Sequence, residues 1–91
     1  MPDIQEILNE RQKTHGDFII HSANSQSLKQ VMMRSNGWHK LSQSQREALD
    51  MICHKIARIL SGNPNHIDHW KDIEGYAALV STKLEEGDGT I

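Results

Sequence analysis

Arg11, His15, Lys55, Arg58, Asp72 and Tyr76 are the side chains of this sequence best suited to hold a charged small molecule. Lys55 and Arg58 stand three residues apart in "CHKIARIL", so on a helix they are neighbours. Asp68, Asp72 and Gly75 share one face of "DHWKDIEGYAAL", and carboxylates a helical turn apart project the same way. Arg11 falls on the stripe of Ile4, Ile7 and Leu8, which points it inward. A guanidinium there requires an acidic or phosphate partner. Asp72 is one such partner. A ligand phosphate held jointly by Arg11, Lys55 and Arg58 is the other.

Two carboxylates on one face also suggest Mg2+ as a cofactor at Asp68 and Asp72, because magnesium takes oxygen ligands. The plainer reading places Asp68 in a first helical turn, where its charge offsets the helix dipole. Gly75 sits mid-helix at a cost of about 1 kcal/mol against alanine. Close helix packing or ligand access explains it, and under either a large side chain would be harmful. The six histidines show neither cysteine companions nor a His-Glu-x-x-His pattern, and read as solvated surface groups.

The elements that position these residues are helical throughout. Asp3 caps a helix over residues 3 to 14, which Gly16 ends. Asp17 caps a second helix to about Ser35, with Phe18, Ala23, Leu28, Val31 and Met32 as its apolar positions; "HSANSQS" has low helix propensity and is equally readable as a loop. "SNGW" is a stop. Ser42 and Gln45 form a capping-box pattern ahead of a helix over 43 to 60, with Leu49, Ile52, Ile56, Ile59 and Leu60 as its stripe. "GNPN" is a turn. A last helix over about 67 to 86 carries a seam of Trp70, Ile73, Ala77, Val80 and Leu84. The short 61–66 connection makes the last two helices an antiparallel hairpin, which brings Lys55 and Arg58 near Asp72 and Tyr76. The fold class is all-α: a small bundle of three to four helices in one domain over 1–86, with 87–91 a flexible tail.

Bulk properties narrow the classes. The chain has 91 residues and a formal net charge of −2, which argues against a general nucleic-acid binder. A chain this short buries only roughly 60–65% of its unfolded surface, so a homo-oligomer is expected. The single cysteine, Cys53, in an apolar stretch reads as an inert buried thiol in a reducing compartment. No apolar run reaches the roughly 20 residues of a membrane span. The start "MPDIQE" lacks the parts of a signal peptide, so a cytoplasmic location is expected.

The combination of "ILNERQKTHGDF" with "LSQSQREALDMICHKIARILSGNPNHIDHWKDIEGYAALV" resembles a family of small helical proteins of tailed phages and prophages. The likeness rests on Arg11, the His-Gly-Asp-Phe turn at 15–18, Lys55-x-x-Arg58, and the Asp68, Asp72, Gly75, Tyr76 helix. It implies a location in a bacterial host cell and brings no established activity. The chain is more distantly similar to the all-α nucleoside triphosphate pyrophosphohydrolases of the MazG type, which bind magnesium and nucleotide through acidic residues on paired helices. Here Lys55 and Arg58 replace one acidic pair, which implies a binding site kept and a magnesium site lost. Three expectations follow. The first is a phage accessory protein binding a phosphorylated small molecule, a nucleotide or nucleotide signal, whose phosphate meets the Arg11, Lys55 and Arg58 cations and whose base stacks on Tyr76 or Trp70, in counter-defence or nucleotide metabolism. The second is a Mg2+-dependent pyrophosphohydrolase, and the third a non-enzymatic module that binds a host protein.

Overall fold

The structure, a computed structural model, describes residues 3–87. Its elements are α1 (Ile4–His15), α2 (Phe18–Arg34), a 3-10 helix (Asn36–Lys40), α3 (Gln43–Ser61) and α4 (Ile67–Glu85). Among the described residues there is no strand, and the fold is all-α. The expected tail lies, beyond Gly87, outside the described residues.

Side chains start these helices as their types dictate. The Asp3 carboxylate accepts the Glu6 amide at 2.8 Å, and Asp17 accepts that of Ile19 at 2.7 Å. Ser42 and Gln45 close a full capping box, each accepting the other's backbone amide. Such caps contribute about 1 kcal/mol each. With Asp17 in place, the stretch open to a loop reading is helical, and "SNGW" becomes the start of the 3-10 helix.

α3 is the central helix, packed between α2 and α4. Lys55 lies on its α4 side, seven residues from Ala48, while Cys53 touches Met32 of α2 and shares its side with Ala57. All four are buried, and the helix therefore hides two opposite sides. The expected stripe falls between them: Ile52, Ile56 and Ile59 are half-buried, and Leu49 and Leu60 are exposed. Small residues sit where the neighbouring axes approach.

The flanking helices also present faces other than those expected. On α4 the inward line is His69, Ile73, Tyr76 and Val80, and Trp70, Ala77 and Leu84 are exposed. The Lys55–Asp72 ion pair draws the Asp72 side toward α3, and the Trp70 indole N–H donates to the Pro64 carbonyl at 2.7 Å, holding the ring at the turn. On α2, Leu28 and Met32 face inward beside His21, Ser25 and Lys29, whereas Phe18, Ala23 and Val31 are exposed. The inner side of α2 is thus largely polar.

Gly75 differs from its expectation too. A Cβ there would meet open space, so close helix packing does not explain the glycine. Gly75→Ala should instead stabilise the protein by about 1 kcal/mol. A thermal melt followed by circular dichroism should show a midpoint higher by about 4–8 °C.

Candidate functional site

The site begins where two helix ends meet. Gly16, at φ +81° and ψ −171°, occupies backbone space essentially reserved for glycine. A Cβ on it would collide with the Ser61 carbonyl, and one on Gly62 would collide with the Thr14 carbonyl. Three further bonds tie this junction. The Asn63 amide donates to the Thr14 carbonyl at 3.0 Å, the Ser61 hydroxyl donates to the His15 carbonyl at 2.8 Å, and His69 Nε2 donates to the Thr14 carbonyl at 2.9 Å. A carbonyl can only accept, so His69 carries its proton on Nε2.

Fixing α1 this way leaves a cleft of about 400 Å³ between α1, the start of α2 and α3. Arg11, His15, His21 and Arg58 supply its basic and titratable lining, and Leu8, Phe18 and Ile19 its apolar rim. Asp17 is the one carboxylate on the wall, and it is engaged in capping α2. Among the described residues neither Arg11 nor Arg58 forms an ion pair with a carboxylate. Burial, then the Arg11 charge, hold Arg58 below the ordinary arginine value, with Asp72 and Tyr76 acting in the opposite sense. The cleft therefore holds two guanidinium groups that repel each other.

Six residues expected at the site come into one neighbourhood, in different roles. Arg11, His15 and Arg58 line the cleft. Arg11 is exposed rather than buried, and Asp72 is not its partner. Asp72 accepts from Lys55 Nζ at 2.9 Å, and the Lys55 side chain is only 10% exposed. That hydrogen bond, and the Lys55 charge, keep the Asp72 carboxyl below its usual range. Lys55 is thereby committed to Asp72 and does not reach the cleft wall. Tyr76 is half-buried, within electrostatic reach of Arg58, and does not line the cleft.

Asp68 lies 3.7 Å from His66 Nε2 while Asp72 is held by Lys55, so each of the two carboxylates expected to share Mg2+ has a separate side-chain partner. No group of three or more metal-ligating side chains with metal-site geometry occurs among the described residues.

Five of the six histidines are not surface decoration, and only His39 is exposed as expected. His69 is 2% exposed, and His15, His21, His54 and His66 are half-buried. His15, His66 and His69 pack ring against ring, with centroids 4.7–6.5 Å apart. His21 stacks on His54, whose Nε2 accepts from Lys29 Nζ at 3.1 Å. Burial first, then Arg58 and the neighbouring cations, lower His15 to about 4. Burial is likewise the main cause lowering His21, ahead of Arg58, and His54, ahead of Lys29.

A pH dependence follows. Below about 6.5 the unfolded chain binds protons on these imidazoles that the folded protein refuses. Stability is complete above that pH and falls as pH drops from about 6.5 toward 4, with Asp72 adding to the loss at more acid pH. Chemical denaturation at a series of pH values should show this decline; a flat profile between pH 7 and 5 would contradict it.

Phe18, His21, Leu8 and Ile19 were not recognisable as cleft residues from spacing. Phe18 reads as an apolar position of the second helix, yet it is 79% exposed, and Ile19 beside it is 78% exposed. The available signal was position: residues just after a cap that ends a sharp turn flank the junction the turn creates. A family model described as a domain of unknown function (DUF6378) matches residues 2–83. No curated protein and no solved structure matches the chain.

Proposed function

The chain belongs to the DUF6378 family, whose description assigns no activity, and we propose that it binds a phosphorylated small molecule, a nucleotide by preference, in the α1–α2–α3 cleft. The observation that carries this reading is the pair Arg11 and Arg58, which face the same cleft without a carboxylate partner. An oxyanion between them would remove their mutual repulsion and accept planar, bidentate hydrogen bonds. The α2 amides are already taken by Asp17, so the guanidiniums supply the recognition. Phe18, on the rim, offers an aromatic face for a base. Trp70 is tied to Pro64 and Tyr76 lies outside the cleft, so Phe18 replaces them in that role.

The motif likeness to phage and prophage proteins supports a counter-defence setting, in which the protein sequesters a host nucleotide signal. The pyrophosphohydrolase reading requires Asp68 and Asp72 to act together, and their separate engagements favour binding without hydrolysis.

Thermal-shift measurements with orthophosphate, pyrophosphate and nucleoside mono- and triphosphates test the proposal. A ligand at 100 times its Kd should stabilise the protein by about 2.7 kcal/mol. Nucleotides should exceed pyrophosphate, and Mg2+ should not be required. No rise with any phosphate compound rejects the binding reading, and Mg2+-dependent phosphate release would replace it with the hydrolase.

A further inference from the structure

We infer that His15 is the specificity-determining contact of the cleft, sharing a proton with the ligand so that a terminal phosphomonoester is selected over a phosphodiester. This rests on the reading of the cleft as an anion site. His15 lines the cleft together with Arg11 and Arg58. Its tautomer follows from a chain of hydrogen bonds. The Thr14 hydroxyl has one proton to give, and donates it to the Arg11 carbonyl at 3.2 Å, which can only accept. The Thr14 oxygen is then the acceptor for His15 Nδ1–H. The proton sits on Nδ1 and the lone pair on Nε2, which has no hydrogen-bond partner among the described residues.

A lone pair repels a phosphate oxygen unless a hydrogen lies between them. A phosphomonoester fits this need, because its second ionisation lies at about 6. Its monoanion donates P–O–H to Nε2, and its dianion accepts from the protonated ring; both descriptions hold the same single proton. Below about pH 6 that proton arrives on the ligand, and above it comes from solvent. A phosphodiester has no such proton to bring. It must draw one from solvent onto a neutral ring, with a single negative charge to hold it there.

The groups around His15 keep it neutral while the cleft is empty. Arg11 from its own helix, Asp17 and His21 from the start of α2, and Arg58 from α3 line the same cleft, and His66 and His69 pack against the ring from α4 and its cap. Burial, then Arg58, His69, Arg11 and His66, hold His15 at about 4. Asp17 is engaged in capping α2. A bound dianion reverses the sign of the local field and favours the imidazolium. His21 does not share this role. Its Nδ1 is buried without a partner, so a proton added there would lack an acceptor, and the ring stays a neutral donor. Uptake is therefore limited to one proton.

Isothermal titration of the full chain with adenosine 5′-monophosphate and adenosine 3′,5′-cyclic monophosphate compares a monoester with a diester on the same base and sugar. At neutral pH the monoester should bind about tenfold or more tighter, as expected of a charge-assisted hydrogen bond. Buffers of different ionisation enthalpy should reveal uptake approaching one proton. Monoester affinity should fall by up to about tenfold per pH unit above about pH 6.5. His15→Gln keeps a donor and an acceptor but cannot take up a proton, so it should lose the uptake and bring the two affinities together. Ring ¹⁵N shifts of the unmutated protein read the same chemistry without a variant: Nδ1 alone should carry the proton in the empty cleft, and both nitrogens in the monoester complex. Equal binding of the two nucleotides without proton uptake, or a free ring protonated on Nε2, overturns the role of His15 and leaves the anion site standing. Binding of neither nucleotide rejects the anion site and the role of His15 with it.

Discussion

Gly16→Ala is expected to lower stability by about 3 kcal/mol or more, because strain in glycine-only backbone space of about 1–3 kcal/mol adds to a steric collision. The collision is with backbone, the Ser61 carbonyl and the Gly62 amide, so no side-chain rotation relieves it. The α1 end would have to lift from α3, and with it the Thr14 and His15 carbonyls would lose Asn63, Ser61 and His69 as donors. For a domain of this size the melting midpoint should fall by more than about 10 °C. Gly37→Ala is the control: open space surrounds that position, and its midpoint should scarcely move. The cleft exists only while this junction holds, so the Gly16 variant should also lose its response to phosphate compounds at temperatures where it remains folded.

Arg58→Met should separate binding from structure. Methionine retains the apolar stem of the half-buried side chain and removes only the guanidinium. Ligand affinity should fall by about 10- to 100-fold, as expected for losing charge-assisted hydrogen bonds of about 1.5–3 kcal/mol. Without ligand, the variant should be no less stable than the parent. Removing Arg58 ends its repulsion with Arg11 and relieves the histidines it depresses, His15 and His21 among them. A structural brace behaves in the opposite way, so a marked drop in unliganded stability with unchanged affinity would contradict the role given to Arg58. Isothermal titration with the best phosphate compound, alongside urea unfolding of both proteins, reads the two effects independently.

The helices were legible because their punctuation is local. Asp3, Asp17 and the Ser42–Gln45 box act within four residues of themselves, and Gly16, Gly62 and Pro64 stop the chain by their own geometry. The proximity of Lys55 and Asp72 was legible for a similar reason, since a short turn forces adjacent helices together. Which way each helix rolls was not. Trp70 and Leu49 are apolar and correctly spaced, yet an ion pair on α4 and a two-sided position for α3 set other residues inward. Gly75 suggested close packing because a mid-helix glycine is costly, but a Cβ there meets open space. The histidine interior was missed for a related reason. His69, His15 and His54 are covered by neighbouring rings, a carbonyl and Lys29, and those partners come from four separate segments of the chain.

The shared anion site of Arg11 and Arg58 is tested most directly by titrating the ¹⁵N-labelled protein with pyrophosphate and following the arginine Nε–H resonances. Arg34 donates to the Gln30 carbonyl and Arg46 lies over the Trp38 ring, so both serve as internal references away from the cleft. The expected result is that Arg11 and Arg58 move together along one saturating curve while Arg34 and Arg46 stay in place. Four arginines drifting alike, or Arg11 and Arg58 unmoved at saturation of any other response, would contradict the site.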